Sequence, residues 1–314
     1  MRTRGSLPIR HRLTCRTSLT FCLLLLAASG CLDSRAAAQS AWTLAAPKEL
    51  RRTGTLHEGL DESSGVAASR RYPGVLWSFN DSGNPALLFA TDTSGRDRGR
   101  FSVTAAQNVD WEALALGPCG KAQCLYIADT GDNRAERPVV QLYRIAEPDP
   151  AGAAAVPQST RPAQVLRVRY PGGPRDVEAI FVAGQGDTYL ISKGAEGKVE
   201  LFRVAADRWT SRIADADLLG TLPIEAGSAL GQLVTDAALA PDGRRVAVRT
   251  YRAIFFFSRA PDGTLRPAPP GIACNVLGLE SQGEGVTWLD DRTLALTSEA
   301  GFRDAGAVGV ARCG

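Results

Sequence analysis

One short design recurs five times along the 314-residue chain: a polar residue, then Gly or Ala, then an apolar run. It reads ESSGVAAS (62–69), DWEALALG (110–117), DVEAIFVA (176–183), VTDAALAP (234–241) and GEGVTWLD (283–290). Aligned on the small residue, the polar positions are Ser64, Glu112, Glu178, Asp236 and Glu284, separated by 48, 66, 58 and 48 residues. Spacings of that size match one four-stranded propeller blade, roughly 40–50 residues plus loops. The expectation is an all-β chain folded as a five-bladed β-propeller, with six blades as the alternative. A two-sheet sandwich is the plainer all-β solution, but it does not require five equivalent polar positions.

The segments between repeats support blades. CLYIAD, VVQLYRI and AQVLRVRY follow Glu112; DTYLIS, VELFRV and ADLLGTL follow Glu178; RRVAVR, AIFFFSR and CNVLGLE follow Asp236. Each set alternates or runs apolar between Gly, Pro, Asp and Asn turn signals. After Glu284 only TLALTSE and GAVGVARC remain, so ELRRTGTLH (49–57) is expected to complete the last blade and leave no open sheet edge. The longest gap holds EPDPAGAAAVPQSTRPA (147–163), a Pro/Ala-rich surface loop.

Residues 1–30 read as an export signal, because Arg2, Arg4, Arg10, Arg12 and Arg16 precede the short apolar run LTFCLLLLAAS (19–29). Cleavage has two readings: a lipobox ASGC with Cys31 lipidated, or an A-x-A cut near 38. Residues 31–48 then form a linker and 49–314 a single domain. Without the signal the chain has 31 basic against 33 acidic residues, a formal charge of −2. No basic face with interleaved aromatics suggests nucleic acid, and membrane attachment is expected only through a lipid anchor.

Of seven cysteines, Cys15 and Cys22 fall in the signal and Cys31 at the lipobox, and the remaining four suit an oxidising compartment. Cys119 and Cys124 fit a hairpin tip, and Cys274 and Cys313 fall where two adjacent blades meet at the lower rim. Only His57 lies beyond the signal, which argues against a histidine-rich zinc site or a Ser-His-Asp triad.

The combination ESSGVA, WSFNDSGN, NVDWEALAL and YIADTGDN resembles a group of exported bacterial propellers described as SdiA-regulated or esterase-like/phytase-like, most closely over 60–135. That resemblance implies a propeller more firmly than an activity. The five polar positions also resemble the ring of five-bladed calcium-dependent nucleotidases of the apyrase family. There serines and glutamates of the innermost strands hold one calcium in the tunnel. Asp236 stands where that family has its second serine.

Residues at the entrances of innermost strands converge on the axis. Four carboxylates there repel one another unless a hard cation accepts their oxygens. An all-oxygen set formed by Ser64, Glu112, Glu178, Asp236 and Glu284 favours calcium over magnesium or sodium; a water-filled tunnel is the plainer reading. The loops between second and third strands share that face. They carry Asn80, Asp81, Asp129, Asp132, Asn133, Lys193, Arg249, Arg252 and Arg303 as candidate ligand contacts. Asp81, Asp129 and Asp132 are the candidate catalytic acids, although Asp and Asn in such loops are also turn formers. Three functions are compatible with this set: binding of a small ligand or envelope protein, metal-dependent hydrolysis of phosphoesters or other esters, and a structural role.

Overall fold

The structure, a computed structural model, describes residues 41–150, 156–227, 231–280, 282–301 and 304–314. From the axis outward, blade 1 comprises Ser63–Ala68, Val75–Asn80, Leu87–Asp92 and Asp97–Ser102. Blade 2 comprises Trp111–Cys119, Ala122–Asp129, Val140–Ala146 and Gln164–Arg169. Blade 3 comprises Val177–Ala183, Asp187–Ser192, Val199–Val204 and Asp217–Leu222. Blade 4 comprises Val234–Leu239, Arg245–Thr250, Ala253–Arg259 and Ile272–Asn275, and blade 5 Gln282–Trp288, Leu294–Glu299, Ala307–Arg312 and, from the other end of the chain, Glu49–Thr55. The five first strands touch in sequence and the last returns to the first, so the fold is a closed five-bladed propeller.

Strands next to the axis are packed on both faces, and Ser63–Ala68 and Val177–Ala183 are buried at every position. This explains the small residue after each polar one. A Cβ on Gly65 would come within 2.8 Å of the Leu114 amide nitrogen of blade 2, so adjacent first strands meet only because that side chain is missing. Each of the five seams between blades holds its own hydrophobic cluster. Between blades 1 and 2, for example, Phe79 meets Trp111 edge-on at 5.3 Å. Burial at seams makes the ring cooperative, since no blade covers both of its faces alone.

Three details depart from the sequence reading. Within the expected linker, Thr43–Ala45 pairs in parallel with Ile272–Cys274 at the outer edge of blade 4. Trp42 packs there on Phe255 and Phe257 at 5.2 and 5.0 Å. A three-residue strand carries no periodicity to recognise. Within the Pro/Ala-rich loop, Gln158–Ser159 covers the outer edge of blade 1 by pairing with Phe101–Ser102. The outer strand of blade 4 is Ile272–Asn275 rather than a strand running to 280. The export signal, Cys31 and the alternative cleavage near 38 lie outside the described residues.

Both cysteine pairs are bonded: Cys119–Cys124 across the blade 2 hairpin and Cys274–Cys313 between blades 4 and 5, with Cα separations of 5.8 and 5.7 Å. The second spans 39 residues and the first only 5. Loop-closure entropy therefore assigns about 4 kcal/mol to Cys274–Cys313 and about 2 kcal/mol to Cys119–Cys124. In chemical denaturation, the double substitution Cys274→Ser/Cys313→Ser is expected to lower stability about twice as much as Cys119→Ser/Cys124→Ser.

Candidate functional site

All five first strands break register with their second strands near the entrance: between Ser63 and Val66, Trp111 and Ala113, Val177 and Ala179, Val234 and Asp236, and Gly283 and Val286. A bulge leaves one residue unpaired and re-aims its side chain. The bulged residues are Ser64, Glu112, Glu178, Thr235 and Glu284. In blade 4 the position equivalent to Ser64 is thus held by Thr235, and Asp236 lies one residue further in. Hydrogen bonds confirm the equivalence: Ser64 Oγ donates to the Glu112 carbonyl at 3.2 Å, and Thr235 Oγ1 to the Glu284 carbonyl at 2.8 Å.

Asp236 is fully buried and serves the scaffold. Its Oδ1 accepts the Ala237 amide and its Oδ2 the Val286 amide, each at 2.8 Å, and the Val66 amide of blade 1 also points to it. One carboxylate thus ties blades 4, 5 and 1 across the axis. Burial pushes its pKa well up, against the pull of those amides. Beyond it the bore is lined by aliphatic residues such as Leu114, Ala115, Val182 and Ala238, together with Arg70, Gln123 and Thr287.

Above Asp236 the mouth is acidic. One oxygen each from Asp81, Asp110 and Glu112 lies within 4.8 Å of the others, and the same holds for Glu112, Asp176 and Glu178. Glu112 belongs to both groups. Ser64 Oγ donates to its Oε2 at 3.3 Å, and a Cβ on Gly131 would collide with the carboxylates of Glu112 and Asp110. The DTGDN loop can lie over the acids only with glycine there. Lys193 Nζ enters the second group, donating to Glu178 Oε1 at 2.7 Å and Asn133 Oδ1 at 3.0 Å, with Asp176 at 3.5 Å.

Burial pushes the Glu112 carboxyl well above its ordinary range, and the charges of Glu178, Asp81 and Asp110 add to the effect. Burial raises Glu178 to about 8 against the pull of Lys193. It also raises Asp110 to about 6, with Asp81 adding to it, and Glu299 to about 7. Burial and the nearby Glu299 and Glu178 raise Glu284, whose Oε1 accepts Gln282 Nε2 at 3.1 Å. An array of acids that holds protons near neutrality is an array short of positive charge.

The structure separates the loop residues by role. Asp81 and Lys193 are at the mouth, and Asn133 orients Lys193. Asn80 braces its loop: its Oδ1 accepts the Glu62 amide at 3.0 Å and its Nδ2 donates to the Gly59 carbonyl at 2.7 Å. Asp129 is fully buried, accepting the Val109 and Asp110 amides and the Arg137 guanidinium at 2.7 Å. Asp132 accepts the Glu136 and Arg137 amides at 2.8 and 2.7 Å. Both therefore shape the loop that sets Asp110 and Gly131. Arg249, expected among the mouth cations, is buried, donating to the Gly285 carbonyl at 2.6 Å and paired with Glu280. Arg252 is exposed on its turn, and Arg303 lies outside the described residues.

Asp110 and Asp176 were missing from the sequence candidates, yet each sits two residues before a ring glutamate. The Asp-x-Glu repeated at two strand entrances, VDWEA and RDVEA, was the available signal. Tyr251, hydrogen-bonded to Glu284, carried none.

No protein-family model matches the chain, and no curated protein does. Among solved structures, the PQQ-bound aldose sugar dehydrogenase of Streptomyces coelicolor is similar with a TM-score of 0.46 and 13% identity, over 85% of this chain and 99% of that one. A luciferin-regenerating enzyme gives 0.46 and 8% over 84% and 95%, and a streptogramin B lyase 0.40 and 13% over 83% and 72%. These are distant likenesses in fold alone.

Two outcomes follow from the geometry. Asp236→Ala leaves buried amides of three blades without an acceptor and is expected to cost roughly 2–4 kcal/mol in denaturant unfolding. The second outcome concerns pH. Carboxyls raised in the folded state keep protons that the unfolded chain has released above its ordinary pKa near 4.5. In chelator the melting temperature should therefore fall as pH rises from about 5 to about 8, where Glu178 titrates. Glu112→Gln removes one buried charge and should flatten that fall.

Proposed function

We propose that this protein is an extracytoplasmic cation-binding propeller that holds calcium among the acids of its upper mouth and uses it, with Lys193, to take a small anionic ligand. The observation that carries the reading is the pair of three-carboxylate groups sharing Glu112. Lys193 occupies the group of Asp176 and Glu178, which leaves Asp81, Asp110 and Glu112 as the set for the ion, with Ser64 beside Glu112. The donors are all oxygen, the preference of calcium, and magnesium and sodium are the competitors. The bound ion would supply positive charge where the acids repel. Gly131 lets the DTGDN loop close down onto the same two carboxylates.

Two disulfides suit an oxidising compartment outside the cytoplasm. No helix among the described residues is long and apolar enough to cross a membrane. Attachment through a lipid on Cys31 is part of the proposal. Hydrolysis of phosphoesters or other esters is the second reading. It is favoured by Asp110, which at about 6 has the proton affinity of a general base near neutral pH.

Metal analysis of the purified mature chain is expected to find calcium. Saturating calcium should raise the melting temperature, by the equivalent of about 2.7 kcal/mol at a hundredfold excess over Kd. Glu112→Gln should abolish most of that gain, whereas Glu58→Gln should keep it. A chain free of metal, equally stable in chelator and in calcium, would refute the reading. Calcium-dependent turnover of a phosphoester or carboxyl ester that disappears in Asp110→Asn would favour the hydrolase.

A further inference from the structure

At the other end of the propeller, a cavity of about 960 Å3 opens at the seam of blades 4 and 5. The first strand of blade 5 runs from Glu284 at the mouth to Trp288 at this lower rim. The cavity wall is apolar: Trp288 and Phe256, with ring centroids 5.9 Å apart, together with Pro269, Pro270, Ile272 and Leu294. Its volume lies within the range of sites that enclose small organic molecules.

The walls are fixed in advance. Cys274–Cys313 joins the two blades beside the cavity. Trp288 Nε1 donates to the Ala238 carbonyl at 3.1 Å, which orients the indole. Arg245 lies 5.0 Å over the same ring.

The charges at the rim are unevenly satisfied. Asp290 Oδ1 accepts the Arg292 and Thr293 amides at 2.7 and 2.8 Å, so its charge is already held by backbone donors. Arg245 is held by Asp242 at 2.6 Å, with Asp291 at 3.8 Å, and Arg312 lies 3.5 Å from Glu49. Lys48 and Arg292, both exposed at the rim, have no ion-pair partner among the described residues. An apolar, aromatic-walled cavity edged by two unpaired cations matches a molecule with an apolar body and one anionic head.

We propose that this cavity is a binding site for a small amphipathic anion, its acyl or aromatic body against Trp288 and Phe256 and its head between Lys48 and Arg292. The site is separate from the acidic mouth and does not depend on a metal there.

The test is calorimetric titration of the mature chain with dodecanoate, in chelator, with dodecyltrimethylammonium as the ligand of equal tail and opposite head. One saturable dodecanoate site is expected, at least about tenfold tighter than for the ammonium. Lys48→Glu/Arg292→Glu should weaken dodecanoate about tenfold or more without moving the melting temperature, since both side chains are exposed and unpaired. Ala268→Trp, which fills the wall, should abolish binding in a chain that still melts cooperatively. Absence of saturable dodecanoate binding, equal affinity for the two heads, or full affinity in either variant would overturn the proposal. Because chelator is present throughout, the outcome is independent of calcium at the mouth.

Discussion

Five strands converging on one axis bring backbone amides and side chains into a space too narrow for ordinary solvation, and every polar group there needs a partner within the protein. The bulge at each strand entrance creates the difficulty and supplies the solution. It frees a backbone group and turns one side chain inward, so a hydroxyl or carboxyl is available where it is needed. Ser64 and Thr235 answer the carbonyls of the next blade. Asp236 gathers amides from three blades. The ring of polar residues is first a consequence of closing the propeller.

Closure does not account for all of the acids. Asp81, Asp110, Asp176 and Glu299 accept none of the amides that Asp236 gathers across the axis, and Asp176 instead accepts the Asp132 amide at 2.8 Å. Burial, with like charge from neighbouring acids, raises the pKa of Asp81, Asp110 and Glu299, and Asp81 and Asp110 in turn add to the rise at Glu112. Lys193 offsets part of this from one side. The acids are thus concentrated above Asp236, and among the described residues no carboxylate lines the bore beyond it.

The two chain ends secure the same part of the ring. Glu49–Thr55 pairs antiparallel with Ala307–Arg312, and Cys313 is bonded to Cys274 of the neighbouring blade. Hydrogen bonds and a covalent bond thus reinforce the blade assembled from both termini. The cavity beside that bond inherits its rigidity.

The blade count, the closing strand and both disulfides were legible in the sequence, because strand periodicity, turn residues and cysteine spacing are local patterns repeated at nearly constant intervals. The ring glutamates were legible for the same reason. The choice between Thr235 and Asp236 was not: adjacent residues on a strand point in opposite directions, and only the position of the bulge decides which faces the ring. Asp129, Asp132 and Arg249 look in sequence like Asp81 and Lys193, since all are charged residues at or beside turns on one face. Their environments differ through contacts with residues distant in the chain, such as the Gly285 carbonyl on Arg249. Sequence alone determined that Asp81, Glu112, Glu178 and Lys193 belong to strand entrances and loops of one face; tertiary packing added Asp110 and Asp176 to them and decided which residues brace loops and which are left with unbalanced charge.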